Sequence, residues 1–336
     1  MEYSIDDLRP FIFGLPWLDE TWPKLLRMPT RVTKQLSRGI QSLSTNLSGA
    51  RLRFSSTASQ LRFKAKIPRS NPMDHFSRFG QFGVDLYVNG KYWKTLFHKS
   101  KIDETIDLYS NERKDFEFYL PIYGALNIQS IITDAPIEDP SRYASDKPIL
   151  YYGSSITQGG CASRGGMAYP AQLSRRLNLD FVNLGLSGNG FGDLIIAELI
   201  AEIDPLIVVL DWGANLIKQG IKTLKERYEE FFRIIRGKHA STPIIMVNIQ
   251  NLVDETYRVE ANEYINTFRK HIKKTYKKIK AEGDDCLWLI DGTEIVGLDQ
   301  VDATVDGRHA SDLGFRLYTD YIEKFLKENK ILDNIS

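Results

Sequence analysis

The stretch PILYYGSSITQGG, residues 148–160, decides the fold, because an apolar run ends there in a turn rich in serine and glycine. Further apolar runs follow it, and segments of helical spacing separate most of them. These runs are DFVNLGLS, PLIVVLDWG, PIIMVNIQ and CLWLID. Near-continuous apolar strands that alternate with helices are typical of a parallel sheet covered by helices on both faces. We therefore expect an α/β domain over residues 149–336.

Functional groups in such sheets gather beyond the carboxyl ends of the strands, and Ser155 follows the first strand. A serine at a strand-to-helix turn can present its hydroxyl group at the edge of the sheet and its backbone N–H to the cleft. Taken alone, a turn or N-cap serine would be the better interpretation. The neighbouring Ser154 carries the same side chain, so the local sequence does not distinguish the two.

Two further strand ends carry groups that could bind a negatively charged oxygen. The second strand ends in NLGLSGNG, where Gly188 allows a ligand to approach the backbone closely. A plain glycine-rich turn or a weak phosphate loop also fits this stretch. The third strand ends in VVLDWGAN, which places Asn215 just past it, where its amide could donate to an oxyanion or satisfy a turn. Asp211, at the end of the same strand, is expected to be structural.

The last loop, VDATVDGRHASDLGF, holds His309, one of five histidines in the chain. Asp306 lies three residues earlier, close enough for its carboxylate to accept a hydrogen bond from the imidazole Nδ1–H. A lone histidine is more often structural or exposed. A histidine with this partner, in the last loop of an α/β sheet, is typical of a general base and the carboxylate that orients it. Each strand-end signal is weak alone, but together they predict a hydrolase site.

Residues 48–134 follow another pattern, in which apolar and polar residues alternate with period two. Asn89-Gly90 separates two of these runs and is a strong hairpin signal, because both residues tolerate positive φ. Many short strands with turns between them favour an antiparallel sandwich or jelly roll. We expect this domain over residues 1–140, with an irregular or helical lead-in of some forty residues. The proline-rich stretch 134–148 is the expected linker.

The composition argues against several classes of protein. A formal net charge of +1 and no concentrated basic face predict no nucleic-acid partner. Cys161 and Cys286 are too few for a disulfide framework and lack metal-ligand spacing, so we expect neither a metal nor a cofactor. The N-terminus is acidic where a signal peptide is basic, and no apolar run reaches the ~20 residues of a membrane span. The sequence therefore predicts a cytoplasmic protein with no membrane partner.

The strand-end segments resemble the ordered blocks of the SGNH, or GDSL-like, hydrolases. GSSIT would supply the serine as Ser155, SGNG the glycine as Gly188, WGAN the asparagine as Asn215, and DGRH the pair Asp306 and His309. The stretch GVDLY, residues 83–87, resembles the GxDLY motif of a β-sandwich domain that precedes one subgroup of these hydrolases. The family usually has an Asp directly before the serine, where this chain has Ser154. The subgroup with the β-sandwich domain commonly lacks that Asp.

This resemblance implies a three-layer, flavodoxin-like hydrolase domain behind a jelly-roll-like one. It implies a serine esterase with Ser155 as nucleophile, His309 as base and Asp306 as orienting acid. The oxyanion hole would comprise the backbone N–H groups of Ser155 and Gly188 and the side chain of Asn215. The expected substrate is a small O-acyl ester, most simply an acetyl ester on a sugar or glycan.

Other functions use the same residues or the same scaffold. A thioesterase, a lysophospholipase and an acyltransferase stay open, because only the ester or the acceptor differs. An inactive glycan-binding protein is the alternative of another class, in which Tyr87, Tyr92 and Trp93 would stack on sugar rings; strand-core positions are the plainer interpretation of these aromatics. The sequence does not decide whether the protein is a homo-oligomer.

Overall fold

The computed structural model describes residues 1–68, 72–108 and 110–333, and the chain divides into two compact units. The first unit comprises Met1–Tyr143 together with Ala162–Met167, and the second comprises Ala144–Cys161 and Ala168–Ser336. The last three residues of the expected 149–336 domain lie outside the described residues. The sequence did not indicate that residues 162–167 would pack with the first unit.

The first unit is built from two antiparallel sheets. One has the strand order β1-β9-β4-β7, and the other has the order β10-β3-β8-β5-β6 with β2 paired to β3. The strands are β1 Glu2–Ser4, β2 Ile12–Phe13, β3 Arg51–Ser56, β4 Gln60–Lys66, β5 Val84–Val88, β6 Lys91–Leu96, β7 Lys101–Asp107, β8 Lys114–Tyr119, β9 Asn127–Thr133 and β10 Ile137–Glu138. Short helices join some of them: α1 Ile5–Leu8, α2 Leu18–Thr21, α3 Arg38–Ser44 and α4 Arg78–Phe82.

One hydrophobic core lies between these sheets. Phe63 of β4 stacks on Phe118 of β8 with ring centroids 5.2 Å apart, and Phe118 in turn contacts Phe54 of β3 at 6.1 Å. All three side chains are fully buried. Apolar and polar residues alternate along these strands, so each sheet buries one face against the other. The unit is therefore a β-sandwich, as the alternating pattern predicts.

The predicted hairpin is confirmed, and the expected lead-in needs correction. Asn89 and Gly90 both have positive φ, 48° and 72°, between β5 and β6. The first residues are not only irregular or helical, because β1 pairs with β9 and β2 with β3. Strands of two or three residues carry too short a period-two pattern to be recognised in sequence.

The aspartate of the GVDLY stretch, Asp85, holds residues 162–167 in the first unit. Its buried carboxylate accepts hydrogen bonds from the Thr95 hydroxyl at 2.6 Å and the Gly166 backbone N–H at 2.7 Å. The Arg164 guanidinium lies 3.5 Å from the same carboxylate and 3.7 Å from the ring centroid of Tyr92. Burial raises the pKa of Asp85, although these hydrogen bonds and the Arg164 charge oppose the rise.

The second unit contains a parallel sheet whose order, β12-β11-β13-β14-β15, is that of flavodoxin-like folds. Its strands are β11 Ile149–Gly153, β12 Phe181–Gly185, β13 Ile207–Asp211, β14 Ile244–Val247 and β15 Leu287–Ile290. The helices are α5 Ser155–Gln158, α6 Tyr169–Leu177, α7 Leu194–Ala201, α8 Gly213–Leu216, α9 Ile221–Lys238, α10 Asp254–Tyr257, α11 Val259–Ala281 and α12 Asp312–Glu328.

Helices cover both faces of this sheet and so make three layers. On one face Tyr151 of β11 packs against Tyr169 of α6, with ring centroids 5.5 Å apart. On the other face Tyr152 stacks on Phe231 of α9 at 4.8 Å. Adjacent residues of a strand point to opposite faces, so the apolar run ILYY serves both layers. The α/β prediction is confirmed.

Strand order also locates the functional edge of the sheet. The order reverses at β11, which lies between β12 and β13, and ligands of open α/β sheets bind beyond the carboxyl ends of strands at such a point. Among the described helices, none combines the length and apolar composition that a bilayer crossing would require.

We predict that Asp85→Ala destabilises the protein, because the Thr95 hydroxyl, the Gly166 N–H and the Arg164 guanidinium all lose a buried acceptor. The expected loss in the free energy of unfolding is about 1–3 kcal/mol, measured by urea denaturation. Asp74→Ala is the matched control, since Asp74 is exposed and surface changes usually stay within about 0.5 kcal/mol. Equal midpoints for the two variants would contradict the anchoring role of Asp85.

Candidate active site

The two adjacent serines after β11 are used differently. Ser154 is the N-cap of α5, and its hydroxyl accepts a hydrogen bond from the Ile156 backbone N–H at 3.3 Å. Ser155 begins the helix, and its Oγ lies 2.9 Å from Nε2 of His309. The local sequence does not distinguish the two serines, but their hydrogen bonds do, because only Ser155 is paired with His309.

Asp306 and His309 face each other across a tight turn. The imidazole Nδ1 lies 2.7 Å from Asp306 Oδ2, and the His309 backbone N–H donates to Oδ1 of the same carboxylate, also at 2.7 Å. Gly307, with φ of +76°, supplies the left-handed turn, and the Val305 N–H donates to the His309 carbonyl at 2.8 Å. The carboxylate therefore holds both the loop and the ring.

The Asp306 carboxyl group is ionised at neutral pH. Partial burial alone would raise its pKa, but hydrogen bonds from the His309 backbone and ring, the His309 charge and the Arg308 N–H outweigh it and lower the pKa. A carboxylate that accepts from Nδ1–H selects the tautomer whose Nε2 is an acceptor. In that tautomer Nε2 accepts the proton of the Ser155 hydroxyl group.

Gly188 lies on the turn after β12 and Asn215 lies in the short helix α8, and hydrogen bonds join these two segments. The Asn215 side-chain amide donates to the Leu186 carbonyl at 3.2 Å, and the Asn189 and Gly190 N–H groups donate to that same carbonyl at 2.9 Å. Gly188 has φ of +63°, and no atom would lie within 4 Å of a Cβ there. Its N–H has no acceptor among the described residues.

Two buried side chains that the sequence did not single out tie the Ser155 helix to β12 and to the turn after it. Gln158, the last residue of α5, accepts a hydrogen bond from the Ser187 N–H at 2.9 Å, next to Gly188. Asn183 of β12 donates to the Thr157 carbonyl at 2.7 Å. Both are polar residues in apolar or glycine-rich stretches, and that contrast is the one signal that could have found them.

Cys161 lies near the site but is not suited to nucleophilic chemistry. It is 8% exposed, and burial, together with the charge of Asp306, raises the pKa of its thiol to about 12. The thiolate is the reactive form of cysteine, so Cys161 is a neutral, packed side chain at ordinary pH.

Comparisons with known proteins bear on the family of the chain. Residues 146–327 match the sequence model of the GDSL-like lipase/acylhydrolase family. Residues 6–134 match the model described as the N-terminus of esterases of the SGNH hydrolase type. No curated protein sequence gives a significant match.

Several solved structures share the fold. A GDSL-like lipase from Bacteroides ovatus is 28% identical, with a TM-score of 0.88 over 99% of this chain and 98% of that one. The salicylyl-acyltransferase SsfX3 of a tetracycline biosynthetic pathway is 19% identical, with a TM-score of 0.84 over the same shares. A family two carbohydrate esterase from Clostridium thermocellum is 13% identical, with a TM-score of 0.63 over 84% of this chain and 93% of that one.

We predict that Gly153→Ala destabilises the second unit, because a Cβ would lie 2.0 Å from Thr157 Oγ1 and 2.5 Å from the Asp211 carbonyl oxygen. Overpacking of this kind costs roughly 1–3 kcal/mol, which urea denaturation measures. Gly237→Ala is the control, since a Cβ meets nothing within 4 Å there and alanine favours a helix interior by up to about 1 kcal/mol. A tolerated Gly153→Ala would refute the close approach.

Proposed function

The chain belongs to the GDSL-like lipase/acylhydrolase family and is a carboxylic ester hydrolase, and we propose that it hydrolyses small O-acyl esters, chiefly acetyl esters on a sugar or glycan. The observation that carries the mechanism is the hydrogen-bonded series from Asp306 through His309 to Ser155, with separations of 2.7 and 2.9 Å. Such a series activates a serine hydroxyl group that is otherwise a poor nucleophile.

In the proposed reaction Ser155 Oγ attacks the ester carbonyl carbon while its proton moves to Nε2 of His309. The Asp306 carboxylate stabilises the imidazolium ion that forms and keeps the ring in place. His309 then gives its proton to the leaving alcohol oxygen, and the acyl group stays on Ser155. Water, deprotonated by His309, hydrolyses this acyl-enzyme. The scheme calls for no metal and no cofactor.

The oxyanion of each tetrahedral intermediate would be held by three donors: the backbone N–H groups of Ser155 and Gly188 and the side-chain amide of Asn215. The Asn215 Nδ2 carries two hydrogens, and the Leu186 carbonyl takes one of them. The other has no acceptor among the described residues. Donors held in advance by other contacts stabilise a developing charge without reorganising.

The choice of an acetylated sugar as substrate is supported by resemblance rather than by a bound ligand. Family two carbohydrate esterases share the fold over 84% of this chain, and one of their structures contains cellohexaose. A sugar ester is small and polar, so it suits a site whose functional groups are hydroxyl, amide and carboxylate.

An acyltransferase is the second candidate. The protein SsfX3, described as a salicylyl-acyltransferase, resembles this chain over 99% of its length with a TM-score of 0.84. The same serine would form the acyl-enzyme, and an alcohol rather than water would accept the acyl group. Adding sugar acceptors to the assay and analysing the products by mass spectrometry separates transfer from hydrolysis.

We predict that Ser155→Ala abolishes turnover of p-nitrophenyl acetate, because the nucleophile is lost. Ser154→Ala is the matched control, in which an N-cap is removed at a cost of about 1 kcal/mol in stability while most turnover remains. Comparing acetate, butyrate and octanoate esters tests the acyl length, and activity should fall as the chain grows. Full activity of Ser155→Ala would end the serine-esterase proposal.

Asn215→Ala should lower kcat by about 10²–10³ and leave KM nearly unchanged, because an oxyanion donor acts in the transition state rather than on bound substrate. Steady-state kinetics on p-nitrophenyl acetate measure both constants. Asn262→Ala, at an exposed position of α11, controls for nonspecific effects. A rise in KM at constant kcat would instead assign Asn215 to substrate binding.

A further inference from the structure

The proposed reaction leaves one buried carboxyl group unused, that of Asp211 at the end of β13. The residue is 4% exposed. Its Oδ2 accepts a hydrogen bond from the Thr157 hydroxyl group at 3.4 Å, and the Thr157 oxygen in turn accepts from the Tyr169 hydroxyl group at 3.3 Å. Thr157 and Tyr169 are buried as well, so this short series is closed off from solvent.

Asp211 contacts the Ser155 turn from two directions. Thr157 belongs to α5, the helix that Ser155 begins. The Asp211 backbone carbonyl accepts the Ser154 N–H at 3.0 Å, just before that helix. Asp211 also precedes Asn215 by four residues on the same segment of chain. One residue therefore links the helix that carries the nucleophile to the chain segment that carries the proposed oxyanion donor.

The third functional segment reaches the same place through an aromatic pair. The Tyr169 ring stacks on the Tyr318 ring of α12, with centroids 5.4 Å apart. The helix α12 begins three residues after His309. Burial, and to a smaller extent the charge of Asp211, raises the pKa values of Tyr169, Tyr318 and, from α9, Tyr228. The titratable groups that face Asp211 are thus phenols, and in the described part of the chain no cation forms an ion pair with it.

We propose that Asp211 is a positioning residue of the esterase site, which sets through Thr157 the placement of Ser155 relative to Asn215 of α8. The proposal rests on the proposed function for its kinetic consequences. It does not make Asp211 a member of the catalytic set, because its carboxyl group is closed off behind Thr157.

The charge state of Asp211 decides how tightly it holds Thr157. Burial raises the pKa of Asp211 to about 7, although the Thr157 hydrogen bond opposes the rise. A separation of 3.4 Å is that of a weak hydrogen bond, whereas a hydroxyl group that donates to an ionised carboxylate lies about 2.5–2.7 Å from its oxygen. Ionisation would therefore draw Thr157, and with it α5, toward β13. A displacement near 1 Å can cost about 10² in rate.

The kinetic test compares kcat of wild type and Asp211→Asn on p-nitrophenyl acetate from about pH 6 to about pH 9. The asparagine keeps an acceptor oxygen for Thr157 but cannot ionise. We expect wild-type kcat to decline above about pH 7, by up to about 10², and the variant to lack this decline, with KM alike in both. Asp211→Leu, which has no acceptor, should have a low kcat at every pH.

Asp204→Asn is the matched control, because it removes an exposed carboxylate that precedes the same strand; its pH profile should follow wild type. Identical pH profiles of kcat for wild type and Asp211→Asn would overturn the proposal. Circular dichroism establishes that each variant is folded before its kinetics are compared.

A second measurement does not depend on turnover. Crystal structures of wild type at about pH 6 and about pH 9 should show the Thr157 Oγ1 to Asp211 Oδ2 distance shorten from 3.4 Å to about 2.7 Å. An unchanged distance refutes the positioning role of Asp211. A lack of Ser155-dependent esterase activity would refute only the proposed function. Since folding raises the pKa of Asp211, wild type should also lose stability relative to Asp211→Asn as pH rises from about 4 to about 7.

Discussion

The arrangement of the second unit depends on the close approach of α5 to the strand ends at Gly153. At Gly153 there is no room for a side chain, because a Cβ would clash with Thr157 and the Asp211 carbonyl oxygen. Gly153 ends the strand β11, and its carbonyl accepts the Leu186 N–H at 2.9 Å. The neighbouring strands are thereby joined to β11 at their carboxyl ends, and the helix that Ser155 begins rests directly on them. Because Gly153 has no side chain, α5 can lie directly against the carboxyl ends of the strands.

Polar groups behind this turn find their hydrogen-bond partners within the protein. Gln158, Asn183 and Asp211 are almost fully buried, and each has a hydrogen bond to a segment next to a functional residue. Burying such groups costs free energy unless they are paired, so a shift in one partner is resisted by the others. These contacts support the site, and at Asp211 they include an ionisable group that a purely apolar support would lack.

The sequence by itself determined the fold class and most of the elements. Apolar runs such as ILYY and IVVL predict strands buried on both faces, and the period-two runs predict the antiparallel sheets. Asn89-Gly90 marks the hairpin because the backbone there requires positive φ. The residue types Ser155, Asn215 and His309, each just past a strand or in the last loop, located the candidate site. These signals are local, because each depends only on residues that are close together in the sequence.

Only the tertiary structure decided which groups meet. The Ser155–His309 contact joins residues 154 positions apart. The two adjacent serines are alike in sequence, and only the backbone geometry makes Ser154 the helix cap and Ser155 the partner of His309. The strands β1 and β2 form because a sheet edge is present to pair with them. Residues 162–167 pack with the first unit because Asp85 accepts their hydrogen bonds. The burial of Asp211 and its contact with Thr157 depend on helices that other segments of the chain supply. Pairing and burial are set by long-range contacts, and these leave no periodic trace in the local sequence.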